Sequence, residues 1–426
     1  MRERFALAAG DTFRSMRTRN FRLFFVGQFV SQVGNWLTLI AQTLLVLELT
    51  DRSGVAVGFL VACQFAPVLL IGAWAGLVAD RSDKRRLLLV VQAFAMVQSF
   101  VLAAVAFLHA PIGAVYIVAF FGGLATAFDN PARRAFVVEL VPESDVQNAV
   151  SLNSALMTSA RIFGPALAGL LVVTAGFGWA FAADGLSYIA VLVGLWMIDP
   201  TKVRSGPVTE RGKGQVRAGL RYVRQVPVLW ISLVMMAIVG TITFNFGVTF
   251  PLFVLRTMHG DNTSFTILYS ITSVGSLIGA LSTARRRTVE LRDVVRATAL
   301  YGVAMVGLSF APNLGIAYAL AILVGFTSIA FMTTATAIVQ LRADPVMRGR
   351  VLALQAMVFL GSTPIGGPIL GFVCDTFGPR SGLLLGAVAA LGAAAWGGLR
   401  MRRLVRSEPA LDATHIGVVS VAGSTS

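Results

Sequence analysis

Charged residues are scarce in this sequence. They make up 13% of 426 residues against 56% hydrophobic ones, and the mean hydropathy is +0.77. Soluble domains carry roughly 25% charged residues, so a water-soluble fold of this length is excluded and a bilayer must act as solvent. Cysteine is almost absent. Cys63 and Cys374 both fall in or beside apolar stretches, which excludes a disulfide framework and a cysteine metal cluster. The histidines are His109, His259 and His415, too scattered for a metal site or a catalytic triad. The pattern G-x-x-x-x-G-K-[ST] is missing, so ATP is not the evident energy source. The first twenty residues hold no apolar core, so no cleavable signal is expected. Neither an enzyme nor a cofactor is called for.

Long apolar runs are what the chain has. Twelve of them, from Phe21–Leu47 to Ser381–Leu399, lie six before Asp199 and six after Gln225. Each approaches or exceeds the roughly 20 residues that cross a hydrocarbon core. The expected fold is therefore an all-α polytopic membrane protein of twelve transmembrane helices in two six-helix bundles. The 35 basic residues alternate in place. Only Arg52, Arg256 and Arg380 fall in one set of loops and Arg161 within a run, while all others fall in the opposite loops or at the termini. The positive-inside rule then puts both termini in the cytoplasm of a multi-pass inner-membrane protein. The net charge of +15 is read as topogenic, facing anionic lipid, rather than as a nucleic-acid surface.

Organisation follows from the same pattern. Residues 1–198 form the first bundle, 199–226 a cytoplasmic linker, 227–400 the second bundle and 401–426 a disordered tail. The linker begins with Pro and Gly punctuation and ends in a basic run with Val216, Leu220 and Val223 on one face, suited to the membrane surface. The halves echo each other. LIGA occurs at Leu70–Ala73 and Leu277–Ala280, and Gly164-Pro165…Gly169 returns as Gly367-Pro368…Gly371. Both offsets are roughly two hundred residues, as two six-helix repeats require.

Three motifs carry a family resemblance. Gly76-Leu77-Val78-Ala79-Asp80-Arg81-Ser82-Asp83-Lys84-Arg85-Arg86 resembles the loop signature of the major facilitator superfamily, G-x-x-x-D-R-x-G-R-R. The resemblance implies a conformational latch. Gly76 would allow close helix approach, and Asp80 would pair with a basic residue and a helix amino terminus when the transporter faces outward. Asp83 departs from the usual glycine, which questions the tight turn there. A purely topogenic basic loop is the alternative. The stretch Arg161–Gly169 looks like the exporter signature around G-P-x-x-G-G, whose Pro and Gly would let the helix hinge. The series Asp129-Asn130-Pro131-Ala132-Arg133-Arg134, Glu139-Leu140-Val141-Pro142 and Asn148–Asn153 is similar to the enterobactin-exporter-like and macrolide-efflux-like branch. That branch implies a secondary exporter of siderophores, antibiotics or lipophilic compounds, usually coupled to protons.

The remaining candidates are charges and amides inside the runs. Asp184 stands where the branch usually has Asn. An intramembrane carboxylate is costly and functional by default, here as a proton carrier, unless it lies close enough to the interface to stay hydrated. Arg161 could neutralise Asp129 or Glu139 or hold an anionic substrate group, with pairing the simpler role. Gln28, Gln32, Asn35 and Gln42 share one face of the first run, and Thr241, Thr243, Asn245 and Thr249 mark the seventh. Both stripes are expected to line the central cavity or to hydrogen-bond between helices. The function expected is secondary export by proton antiport and alternating access, with a small-molecule substrate, protons and the bilayer as partners and a monomer as the working unit. A lysophospholipid-type flippase, a non-transporting membrane sensor and a membrane transferase are the alternatives.

Overall fold

The computed structural model describes residues 13–204, 215–284 and 289–407. Its elements are helical throughout, because in hydrocarbon only a helix satisfies every backbone polar group within one segment. The first six spans are Arg19–Leu49, Gly54–Arg81, Lys84–Phe107, Ile112–Glu139, Val146–Ala175 and Phe177–Met197. The seventh is built from Pro227–Ile238, a wide turn at Val239–Thr243, Phe246–Leu252 and a second wide turn at Phe253–Thr257. Asn262–Ala284, Leu291–Ser309 and Leu314–Arg342 follow, and the eleventh span is broken into Pro345–Leu360 and Thr363–Phe377 before Pro379–Ser407 closes the chain.

Eleven of these are long and apolar enough to cross a membrane on composition alone. Leu291–Ser309 is the twelfth. Arg292, Asp293 and Arg296 crowd its first turns and lower its hydropathy, yet it packs between the tenth and twelfth spans with Tyr301, Met305 and Leu308 fully buried. The twelve expected spans are therefore present.

Spans one to six pack mainly on each other, as do seven to twelve. The halves meet where the second span lies along the eleventh and the fifth along the eighth. Large side chains such as Val97, Ile117, Phe163, Leu186 and Trp196 point outward, as lipid-facing residues do. Two expectations gain detail here. The basic helix Gln215–Gln225 docks onto the start of the eleventh span, with Val223 fully buried and the Tyr222 hydroxyl accepting from the Asp344 amide at 2.9 Å. The side chain of Val216 lies outside the described residues. The last helix continues through Ser407, so the first residues assigned to the tail are helical, and 408–426 lie outside the described residues.

The Gly-Pro motifs sit inside the helices Val146–Ala175 and Thr363–Phe377. Gly164 presses on Trp36, and an added Cβ would also come within 3.0 Å of the Val33 carbonyl. Gly169 meets Thr266 in the same way. Interruptions of the helical spans fall at Phe244-Asn245 and Gly361-Ser362. There the wide turn and the adjacent glycine release the helix ladder. Gly164→Val should lower stability in detergent by about 1–3 kcal/mol, the usual range for overpacking a tight contact. An unchanged thermal unfolding midpoint would show that the first and fifth spans yield more readily than this geometry implies.

Candidate functional site

The first half of the molecule is crossed by a polar seam centred on Asp184. This carboxylate is 1% exposed. Its Oδ2 accepts from Thr38 Oγ1 and Ser99 Oγ, each at 2.7 Å, and its Oδ1 from Ser187 Oγ at 3.4 Å. Three spans thus converge on one acid, and Gly34 leaves room for it because any side chain there would strike the carboxylate. The alternative of an interfacial, hydrated acid does not fit that burial.

The seam continues toward the end that carries the basic loops. Gln92 lies seven residues before Ser99, hence on the same helical face. Its Nε2 donates to Asp129 Oδ1 at 2.6 Å, and its Oε1 accepts from Ser31 Oγ at 3.5 Å. Asp129 Oδ2 in turn holds Arg133 at 3.0 Å, and Arg133 is 4% exposed. In the other direction, Gln64 donates to Gln42 Oε1 at 2.6 Å. Gln28 and Gln32 are buried on this stripe and Asn35 is half-buried. Both side-chain polar atoms of Gln28 lack a hydrogen-bond partner among the described residues.

Arg161 corrects the pairing expected for it. Asp129 is taken by Arg133 and Gln92, and Glu139 by Lys84 Nζ at 3.0 Å. Arg161 lies half-way along the fifth span instead, over the rings of Trp36 at 5.6 Å and Phe244 at 5.8 Å. The first ring belongs to the first half and the second to the other half. The stripe on the seventh span is largely satisfied by backbone. Thr241 bonds Ala237 O, Thr243 bonds Gly386 O, Thr249 bonds Asn245 O and Asn245 Nδ2 bonds Thr241 O. Asn245 Oδ1 is buried without a hydrogen-bond partner among the described residues.

The basic loop is built differently from its motif. Asp83, standing at the usual glycine, caps the third span by accepting from the Arg86 amide at 3.1 Å, so the turn is made by an N-cap rather than by glycine freedom. Lys84 pairs with Glu139, and Arg85 donates to the carbonyls of Leu195 and Trp196 at the end of the sixth span. Arg86 stays on the surface beside Asp83. Asp80 and Arg81 end the second span. Gly76 makes no close helix approach: a Cβ there would meet nothing within 4 Å. The physical reason lies in how the second and eleventh spans diverge. At the far end, Cβ atoms on Gly54 and Gly58 would each come within 2.6 Å of the backbone oxygens of Gly371 and Gly367.

That far end is closed by Asp375 of the eleventh span. Its oxygens accept from the amides of Gly54 at 2.8 Å and Val55 at 2.9 Å, from Ser53 Oγ at 3.0 Å and from Arg256. Arg52 adds a bond to the Leu255 carbonyl at 2.7 Å. A carboxylate from one half thus seats on the helix amino terminus of the other, where the N–H groups and the dipole favour a negative charge.

A family model described as transmembrane secretion effector, within the major facilitator superfamily, matches residues 10–415. The chain belongs to that family. The staphyloferrin A transporter of Staphylococcus aureus is 26% identical over 367 residues, covering 84% of this chain and 90% of its own. Macrolide efflux protein A of Streptococcus pyogenes is 24% identical over 374 residues, covering 86% and 92%. In fold, a bacterial homologue of the human lysosomal transporter Spinster, solved in an inward-facing and occupied conformation, superposes with a TM-score of 0.71 at 16% identity, over 93% of this chain and 99% of that one. Membership of the family makes this a membrane transporter of small molecules and bears out the resemblance drawn from the loop and exporter motifs.

Asp184, Asp129, Arg133 and the amide stripe of the polar seam were legible in the sequence. Thr38, Ser99, Gln92, Gln64 and Asp375 were missed. The first four were available as polar residues at helical spacing inside apolar runs. Asp375 carried no such signal, because its partners at Ser53–Val55 lie more than three hundred residues away along the chain.

Proposed function

We propose that the protein is a secondary exporter of small lipophilic, siderophore-like or antibiotic-like molecules, working as a proton antiporter by alternating access. The observation that carries this reading is Asp184, a carboxylate buried at mid-bundle and held by neutral hydroxyls, which can take up and release a proton without breaking an ion pair. The relatives named for siderophore transport and macrolide efflux support the substrate class and the outward direction.

In this reading the basic loops lie in the cytoplasm of an inner-membrane monomer with both termini inside. The two bundles, 1–198 and 227–400, rock about the central site, with 199–226 as linker and 401–426 as tail. The conformation described is closed outside by Asp375 and loads from the cytoplasmic side. Asp80 and Arg81 latch the opposite state, and Gly164, Pro165, Gly169, Gly367, Pro368 and Gly371 form the packed contacts about which the helices pivot. Protons reach Asp184 along Gln42 and Gln64 from outside and leave past Gln92, Asp129 and Arg133.

The test is gradient-driven transport in proteoliposomes, screened against siderophores and macrolides. Substrate should move against its own gradient only while the proton gradient is imposed. Equal movement after the gradient is collapsed would overturn proton coupling, and no movement of any compound would overturn export.

A further inference from the structure

We propose that Arg161 and the rings around it bind the negatively charged group of the transported molecule, so that the substrate class is an organic oxyanion, a carboxylate above all, attached to a flat apolar body. This deepens the export reading and rests on it.

Arg161 sits at the midpoint of a thirty-residue helix, where an uncompensated cation is costly. Among the described residues no carboxylate comes within ion-pair distance of it. Asp129 and Glu139 are committed to Arg133 and Lys84, and Asp184 to hydroxyls on the other side of the bundle. Its Nε is buried without a hydrogen-bond partner among the described residues. Two ring contacts and the neighbouring Tyr269 hydroxyl replace only part of the hydration a guanidinium gives up, and none of them carries a negative charge. A site that keeps such a group is arranged for a counter-charge that comes and goes.

Geometry then narrows the class. The guanidinium carbon lies 5.6 Å from the Trp36 ring centroid and 5.8 Å from that of Phe244, and a guanidinium presents a rigid fork of N–H groups that matches a planar, two-oxygen partner. Tyr269 stands beside it, with its ring 6.2 Å from Trp36. Behind Phe244 the buried rings of Phe246 at 5.0 Å and Phe359 at 4.9 Å make the surroundings of the guanidinium apolar and aromatic, which suits an anion carried on a flat apolar body. Phe244 occupies the break in the seventh span, and discontinuous helices commonly build midplane binding sites. The neighbouring Asn245 Oδ1, buried and unpartnered, offers an acceptor for a substrate hydroxyl. Because the rings come from both halves, rocking takes the guanidinium out of one of its two contacts, which suits release.

The test compares matched probes on the purified full-length protein: naphthaleneacetate, naphthaleneethanol and naphthaleneethylamine, with oleoyl lysophosphatidylglycerol as an anionic lipid arm. Naphthaleneacetate should bind about tenfold tighter than the alcohol or amine, the worth of one charge-assisted hydrogen bond. Arg161→Gln should erase that preference while alcohol binding stays within about twofold, and Arg161→Lys should restore part of it. Wild-type protein that shows no preference for the acetate overturns the proposal without reference to any variant, as does a preference that survives in Arg161→Gln. A preference confined to the lysolipid overturns the small-molecule class in favour of a lipid headgroup. Anion-selective binding without gradient-driven movement would sink the export reading and leave the anion site standing. Driven movement of neutral or cationic compounds alone, unchanged in Arg161→Gln, would do the reverse.

Discussion

With Asp184→Asn, uphill accumulation in proteoliposomes falls to background while downhill exchange of the same substrate continues. The amide nearly matches the carboxylate in shape, and its oxygen can still accept from Thr38 and Ser99, so the first, third and sixth spans stay packed. What disappears is the proton. The neutral amide cannot titrate, so the cycle loses its coupling but not its ability to change conformation. Exchange rates should also lose their dependence on pH, because the other acid of the seam, Asp129, is held by Arg133 in an ion pair rather than by neutral hydroxyls. Asp184→Glu should keep part of the coupling. Accumulation by Asp184→Asn at the wild-type level would remove this residue from the coupling mechanism.

The second large effect concerns the outer closure. Asp375→Ala should shift the population toward an outward-open state. It deletes four accepted hydrogen bonds and the anion on the second span's amino terminus. The carboxylate is about a quarter exposed, with a relative side-chain exposure of 27%, so the surviving benefit is discounted to about 1–2 kcal/mol, a five- to thirtyfold change in the ratio of states. Spin labels placed at Asp51→Cys and Asp261→Cys, with Cys63 and Cys374 replaced, read the distance between the outer ends of the halves. Wild type should show one short distance and Asp375→Ala a second, longer one. Arg256→Gln removes a single contact and should shift less. A distance distribution unmoved by Asp375→Ala would mean that glycine packing at Gly54 and Gly58 holds this end alone.

Asp375 and Asp80 make a related pair under this reading. One acid ends the eleventh span outside and caps the second. The other ends the second span inside, where the eleventh span begins. Each conformational state would then be held by a carboxylate on a helix amino terminus of the opposite half, so that weakening either one biases the cycle in a known direction.

Much of this was local and therefore legible in the chain. Span length, the placement of Arg and Lys, the amides on one face of the first span and an acid within an apolar run are properties of neighbouring residues, and each was read directly. Asp83 shows how a local departure is resolved locally, since an acid three residues before an amide caps a helix as readily as a glycine turns one. The partners of charges were decided only in three dimensions. Asp129 and Glu139 each had several basic residues within reach along the chain, and packing gave Asp129 to Arg133 and Glu139 to Lys84, leaving Arg161 to rings from both halves. The seat of Asp375 on Gly54 and Val55 joins residues more than three hundred positions apart, a separation over which no periodicity or motif speaks. The sequence by itself determined a twelve-span membrane protein with an acid inside its sixth apolar run, and the structure decided that this acid is buried. Tertiary structure decided which charges remain unspent and which end is shut, because both depend on how the two halves meet.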